Sequence, residues 1–198
     1  MKTSFSGPLF HPKGMNNNNG FTLMELLLYI AIGSFILLTM FSLMRFTIQG
    51  YIKGQNEDEI LLNGRHAIEY IKKEIKGADK ILSTGKISDL DDMYKDNIGF
   101  VIFKFDPDEP RGYSYNYVTF YHKDNKIYRI ATNRANETLP KAGSFSGFNI
   151  VAENVNSIKD TYIDFETKII HLNFILRDDT NRDYKFQSTI GVRCTVEY

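Results

Sequence analysis

The chain has one cysteine in 198 residues, Cys194, so no internal disulfide forms in any compartment and the fold must hold without a covalent staple. Tryptophan is absent, and 15 phenylalanines and 12 tyrosines supply the large side chains for a core and a tyrosine-rich surface. Neither charge is in excess: lysine plus arginine equal aspartate plus glutamate at 24 each, which argues against a nucleic-acid binder that works through a broad basic field. The histidines, His11, His66, His122 and His171, are widely spaced and have only one thiol for company, so no zinc framework is expected. No phosphate-binding glycine loop occurs, and "GSFSG" at 143–147 centres on Phe145, which rules out a nucleophile elbow. No catalytic residue, cofactor or small-molecule substrate emerges from the sequence.

What the chain does have is a long apolar run. From Leu26 to Met44 it reads "LLLYIAIGSFILLTMFSLM" without a charge, and Arg45 closes it. A helix of that length spans roughly 28 Å, close to the hydrocarbon core of a bilayer. A buried core helix is rarely apolar on every face for five turns. A cleaved secretory signal would place its small-residue site after a shorter apolar region, yet here the run continues beyond Ala31-Ile32-Gly33. The small-residue boundary lies instead before the run, at Gly20, so that cleavage there leaves the apolar segment on the mature protein.

One acid, Glu25, stands at the head of this run. An acid at the centre of a membrane helix costs about 2.5–3.5 kcal/mol and less near the interface, so Glu25 needs a partner or a function. Glycine at 20 has no Cβ and lets an extended backbone enter a tight protease cleft. Residues 1–20 carry Lys2 and Lys13 and no acid; without them the chain has 22 basic against 24 acidic side chains, a net charge of −2. Translation from Met15 would give a leader of six residues, "MNNNNG", with no charged side chain.

The residues Gly20-Phe21-Thr22-Leu23-Met24-Glu25-Leu26-Leu27 resemble, position for position, the class III signal of type IV prepilins and pseudopilins. The resemblance implies a membrane aspartyl protease, the prepilin peptidase, that cuts after Gly20 and N-methylates Phe21. It implies that Glu25 pairs in the assembled filament with the amino terminus of a neighbouring subunit. A desolvated pair of that kind adds little net stability but fixes register, because leaving either charge unpaired is expensive. Partners are then the prepilin peptidase, other pilin or pseudopilin subunits, the inner or cytoplasmic membrane and an assembly platform. The leader-in orientation follows from the resemblance, the charges flanking the run being few. The machine is left open among a type IV pilus, a type II secretion pseudopilus and a competence pseudopilus.

Beyond the run, Ile60, Gly64, Ala67, Ile68, Ile71, Ile75 and Ala78 recur at three- and four-residue steps, one stripe of an amphipathic helix. Gly50 and Gly54 predict a weak or bent stretch over 47–56. From about Ile98 the pattern turns strand-like. Strands are expected over Gly99–Phe105, on both sides of a hairpin at Asp124-Asn125, over Ile170–Leu176, and over Tyr184–Tyr198 after the polar turn "RDDTNRD". In that last segment Cys194 falls on the apolar face and reads as a core thiol. Thr132 to Gly147, rich in Asn, Gly and Ser, reads as an exposed loop.

The expected architecture is α+β: a long N-terminal helix, transmembrane in its first half and amphipathic in its second, packed on an antiparallel sheet of four or more strands in a pilin-like arrangement. The expected divisions are a leader at 1–20, a transmembrane and assembly helix at 21–44, its amphipathic continuation at 45–82 and an extracytoplasmic sheet domain at 83–198. The later segments, "NIVAENVNSIKDTYIDF" and "STIGVRC", more diffusely resemble larger minor pilins and the J-type pseudopilins of type II secretion. The size of the body and its long loop favour, by analogy, a minor subunit at a tip or in initiation.

Two acid clusters, Asp89, Asp91, Asp92 and Asp96, and Asp106, Asp108 and Glu109, offer oxygens to calcium but lack the EF-hand spacing and glycine. Tyr113, Tyr115 and Tyr117 could stack on bases, yet they also alternate as one face of a sheet. The competing reading of the whole chain is a single-pass anchored extracytoplasmic binding domain or hydrolase, for which cleavage at Gly20 would not occur.

Overall fold

The computed structural model describes residues 21–107, 112 and 114–198. The chain divides into two units at Gly50/Tyr51. One helix, α1 (Leu23–Lys76), passes from the first to the second. In the first unit the large apolar side chains of α1, and of Phe21 just ahead of it, are exposed, from Ile48 at 46% to Phe21 at 78%. The helix runs without interruption through Gly50 and Gly54, contrary to the weak stretch expected at 47–56. Two glycines cost about 1 kcal/mol each, too little to break a helix whose propagation is cooperative on both sides.

Among the described residues the second unit holds the rest of α1, a short helix α2 (Leu90–Met93) and ten strands. One six-stranded sheet runs β10 (Thr195–Glu197), β1 (Lys80–Ser83), β2 (Phe100–Phe105), β3 (Tyr115–Lys123), β4 (Lys126–Arg134) and β5 (Ser146–Ala152). All its neighbours are antiparallel except β1 and β10. In the second sheet β8 (Ile169–Arg177) pairs along its whole length with β9 (Asp183–Gly191) and at its two ends with β6 (Val155–Ser157) and β7 (Tyr162–Asp164). The fold is α+β and pilin-like, with the expected single sheet replaced by two. The strand expected over Tyr184–Tyr198 also divides. At Val192 the backbone leaves the β8 ladder, its N–H donating to the Lys168 carbonyl at 2.8 Å, and three residues later it enters the other sheet as β10.

The stripe on α1 is buried where its spacing placed it, at Ile60, Gly64, Ala67, Ile68, Ile71 and Ile75. These side chains meet one face of the first sheet through Phe100, Ile102, Val118 and Phe120, and the second sheet through Ile170, Leu172 and Phe174. Glu74 is flanked by Lys104 on β2 and Arg129 on β4, the latter at 3.2 Å, so one mostly buried carboxylate ties the helix to two strands. At Gly64 the ring of Phe186 on β9 occupies the space a Cβ would take. The Asp124-Asn125 hairpin forms as expected. Both residues have positive φ, 50° and 58°, as a two-residue type I′ turn requires.

A second core lies on the opposite face of the first sheet. Val101, Phe103, Tyr117, Tyr121 and Ile130 are covered there by Leu82, Ile87, Leu90, Tyr94, Ala142 and Phe145. That is why "FVIF" in β2 is apolar without alternation: Phe100 and Ile102 face one core, Val101 and Phe103 the other. The loop expected to be exposed over 132–147 is anchored by this second core, with Ala142 and Phe145 buried in it.

Candidate functional site

The first helical turn is built by its own sequence. Thr22 is the capping residue, and its carbonyl accepts the first helical bond, from the Leu26 N–H at 3.2 Å. Its N–H and its hydroxyl both donate to Glu25 Oε2 at 2.9 Å, while the Glu25 N–H donates back to Thr22 Oγ1 at 3.2 Å. This is a reciprocal capping box. It answers three polar groups that would otherwise be orphans in an apolar surrounding, and it puts the carboxylate at the positive end of the helix dipole. Glu25 Oε1 makes no hydrogen bond among the described residues. The carboxylate is therefore oriented by one oxygen and presents the other.

Phe21 stands beside this box, its ring edge-on to Tyr29 with centroids 6.0 Å apart. Gly20 lies outside the described residues. Further along, the hydroxyls of Ser34, Thr39 and Thr47 donate to carbonyls of the preceding turn: Ser34 to Ile30, Thr39 to Ile36 at 2.7 Å and Thr47 to Leu43 at 2.9 Å. These three hydroxyls are satisfied within the helix and need no water where they stand. This stretch of the helix is long and apolar enough to cross a membrane, and its side chains are exposed.

The other residues that the sequence singled out do not converge on a site. His66 lies 3.3 Å from the Val151 carbonyl, His122 lies 2.9 Å from the Val155 carbonyl, and His171 stacks on Tyr162. Cys194 is half-buried against the main core, and burial pushes its thiol up from its ordinary value. Tyr117 is buried in the second core and Tyr115 packs on Phe103 and Phe105, so these rings are committed to packing. Tyr113 lies outside the described residues, as do Asp108 and Glu109. Asp91 accepts a hydrogen bond from Asn97 at 2.8 Å, and among the described residues no three His, Cys, Asp or Glu side chains gather as metal ligands.

A family model described as the prokaryotic N-terminal methylation motif matches residues 15–41. No curated protein and no solved structure matches the chain. The motif belongs to structural chains that meet a prepilin peptidase and other pilins, and with the apolar half of α1 it anchors this chain in a membrane. Residues 15–41 thus carry the type IV prepilin-like class III signal of a pilin-like precursor.

Proposed function

We propose that the chain is the precursor of a minor structural subunit of a type IV pilus or of a type II secretion or competence pseudopilus, placed at the tip or in initiation. Prepilin peptidase cuts between Gly20 and Phe21 and methylates the new amino group of Phe21. Before assembly residues 21–44 cross the cytoplasmic membrane once. Afterwards they pack among the helices of other subunits, and the body from about residue 45 lies outside the membrane. The chain performs no catalysis; it is the substrate of the peptidase.

The observation that carries this reading is the capping box at the head of a bare apolar helix, directly after Gly20-Phe21. Thr22 holds one oxygen of Glu25 and leaves Oε1 to accept from a protonated amine. The incoming amine of a neighbour's Phe21 meets an acceptor already oriented, so the ion pair forms without dismantling the cap. Its worth lies in register, since a subunit docked out of step leaves a carboxylate and an ammonium unpaired in an apolar bundle.

Glu25→Gln and Glu25→Ala separate the two jobs of this side chain. Glutamine still completes a capping box but carries no charge; alanine loses both cap and charge. The expectation is that both variants are cleaved by the peptidase and neither enters filaments, as read by cross-linking of sheared surface material. Normal incorporation of the glutamine variant would mean that Glu25 serves only as a cap.

A further inference from the structure

Five asparagines from separate parts of the second unit line two adjoining polar depressions that share Asn154, Asp178 and Asp179: Asn125 in the β3–β4 turn, Asn154 between β5 and β6, Asn156 on β6 and Asn181 in the β8–β9 turn line the larger, and Asn56 on α1 the smaller. The larger is about 370 Å³, and among the described residues Val155 is the one apolar residue lining it. That volume falls within the roughly 300–1,000 Å³ of small-molecule sites. None of the five carboxamides makes a hydrogen bond within the described residues.

The wall of the cavity is rigid. Asp178, whose side chain is only 2% exposed, gathers the β8–β9 turn around itself. It accepts from the N–H and hydroxyl of Thr180 at 2.9 and 2.7 Å, from the N–H of Arg182 at 2.9 Å and from the hydroxyl of Tyr184 at 3.2 Å. Arg182 also reaches Glu57 on α1 at 2.6 Å, and Arg177 is held by Asp183 at 2.7 Å. With those charges committed, Asp179 is, among the described residues, the unpaired charge of the cavity, and Glu59 has no partner among them in the smaller depression beside α1.

Turn geometry accounts for part of this composition: Asn125, Asn154 and Asn181 have φ of 58°, 60° and 60°, a region that asparagine tolerates. It places no demand on Asn56 in a helix or Asn156 in a strand. An anion would meet Asp179 and, among the described residues, no free cation. A neutral ligand rich in hydroxyls matches the lining well, because each carboxamide offers donors and an acceptor together and a free carboxylate accepts from two adjacent hydroxyls.

We propose that this cavity binds a neutral saccharide unit, its hydroxyl groups meeting Asn154, Asn156 and Asn181 and the carboxylate of Asp179. The site is built from residues of the second unit, and the inference does not rest on the assembly role. The absence of an aromatic platform from its lining sets the expected dissociation constant on the order of 1 mM.

The test uses the full chain in lipid nanodiscs free of sugar-based detergent, with EDTA present, and saturation-transfer NMR with maltotriose and with the trimer of N-acetylglucosamine as probes. At least one probe binds saturably, and the double variant Asn156→Ala/Asp179→Asn weakens it tenfold or more at an unchanged melting temperature. Asn149→Ala, on β5 and outside the cavity, leaves binding unchanged. Should the double variant fold poorly, Asn56→Ala, at a half-buried position of α1 in the smaller depression, takes its place with a smaller loss expected. Absence of saturable binding by either probe up to about 30 mM, well past a weak single-site affinity, would overturn the proposal. So would equal binding by wild type and both cavity variants.

Discussion

Replacing glycine by alanine at two places on one helix should have opposite consequences. Gly54 has nothing within 4 Å of where a Cβ would stand, whereas at Gly64 that space is filled by the ring of Phe186. Either substitution recovers about 1 kcal/mol of helix propensity. At Gly64 the added methyl also overpacks the helix–sheet contact, which costs about 1–3 kcal/mol. The ring can yield only by turning away from the helix, which gives up part of its packing on the main core. Gly64→Ala should therefore be about 1–3 kcal/mol less stable than Gly54→Ala, while Gly54→Ala is slightly more stable than wild type. In melting temperature a gap of about 2 kcal/mol is roughly 4–8 °C for a body of this size. Urea unfolding of the full chain in micelles, followed by tyrosine fluorescence since there is no tryptophan, measures it. Phe186→Leu placed in the Gly64→Ala background should recover part of the loss, giving a non-additive cycle. Equal stability of the two alanine variants, with additivity toward Phe186→Leu, would refute the close approach of α1 and β9.

Glu74→Ala leaves Lys104 and Arg129 beside each other without their shared carboxylate. Full burial would make that cost about 3–5 kcal/mol, and the partial exposure of the two cations brings the expectation to about 2 kcal/mol, read from the same urea transitions. Asp178 gives a pH signature. Burial would raise its pKa, but the hydrogen bonds from Thr180 and Arg182 prevail and hold it well below its ordinary value of 3.8. A carboxyl depressed on folding contributes stability that is complete above its unfolded pKa and is lost as pH falls toward the folded one. Wild type should thus lose stability as pH drops below about 4, and Asp178→Asn should be less stable at pH 7 with a flatter profile below pH 4. A parallel pH profile in the variant would remove Asp178 from that role.

The parts of the fold legible in the sequence are those with local periodicity or a fixed short motif. The stripe from Ile60 to Ile75 declared its buried face through its spacing, and Asp124-Asn125 declared its turn because so few residue types accept two successive positive φ values. The second core was not legible, since Ile87, Leu90, Tyr94, Ala142 and Phe145 come from loops and single helical turns too short for any period to mark a buried face. Nor was the division into two sheets. The alternation through Tyr184, Phe186, Ile190 and Val192 persists across Cys194 into β10, and side-chain period alone carries no record of a change of partner strand. At the helix head, the sequence marked Glu25 as an acid needing a partner but missed the partner it already has. The signal was Thr-x-x-Glu ahead of an apolar run, a capping box readable from sequence. The asparagine-lined cavity assembles residues from 56 to 181, a convergence that only the tertiary fold creates.

The most direct test of the proposed processing and assembly is the intact mass and N-terminal sequence of the membrane-extracted chain, with and without a co-expressed prepilin peptidase. The account predicts a chain that begins at Phe21 and carries an N-terminal methyl group when the peptidase is present, and the uncut leader when it is absent. A chain that keeps its leader beside an active peptidase would contradict it and leave an anchored extracytoplasmic domain of some other function.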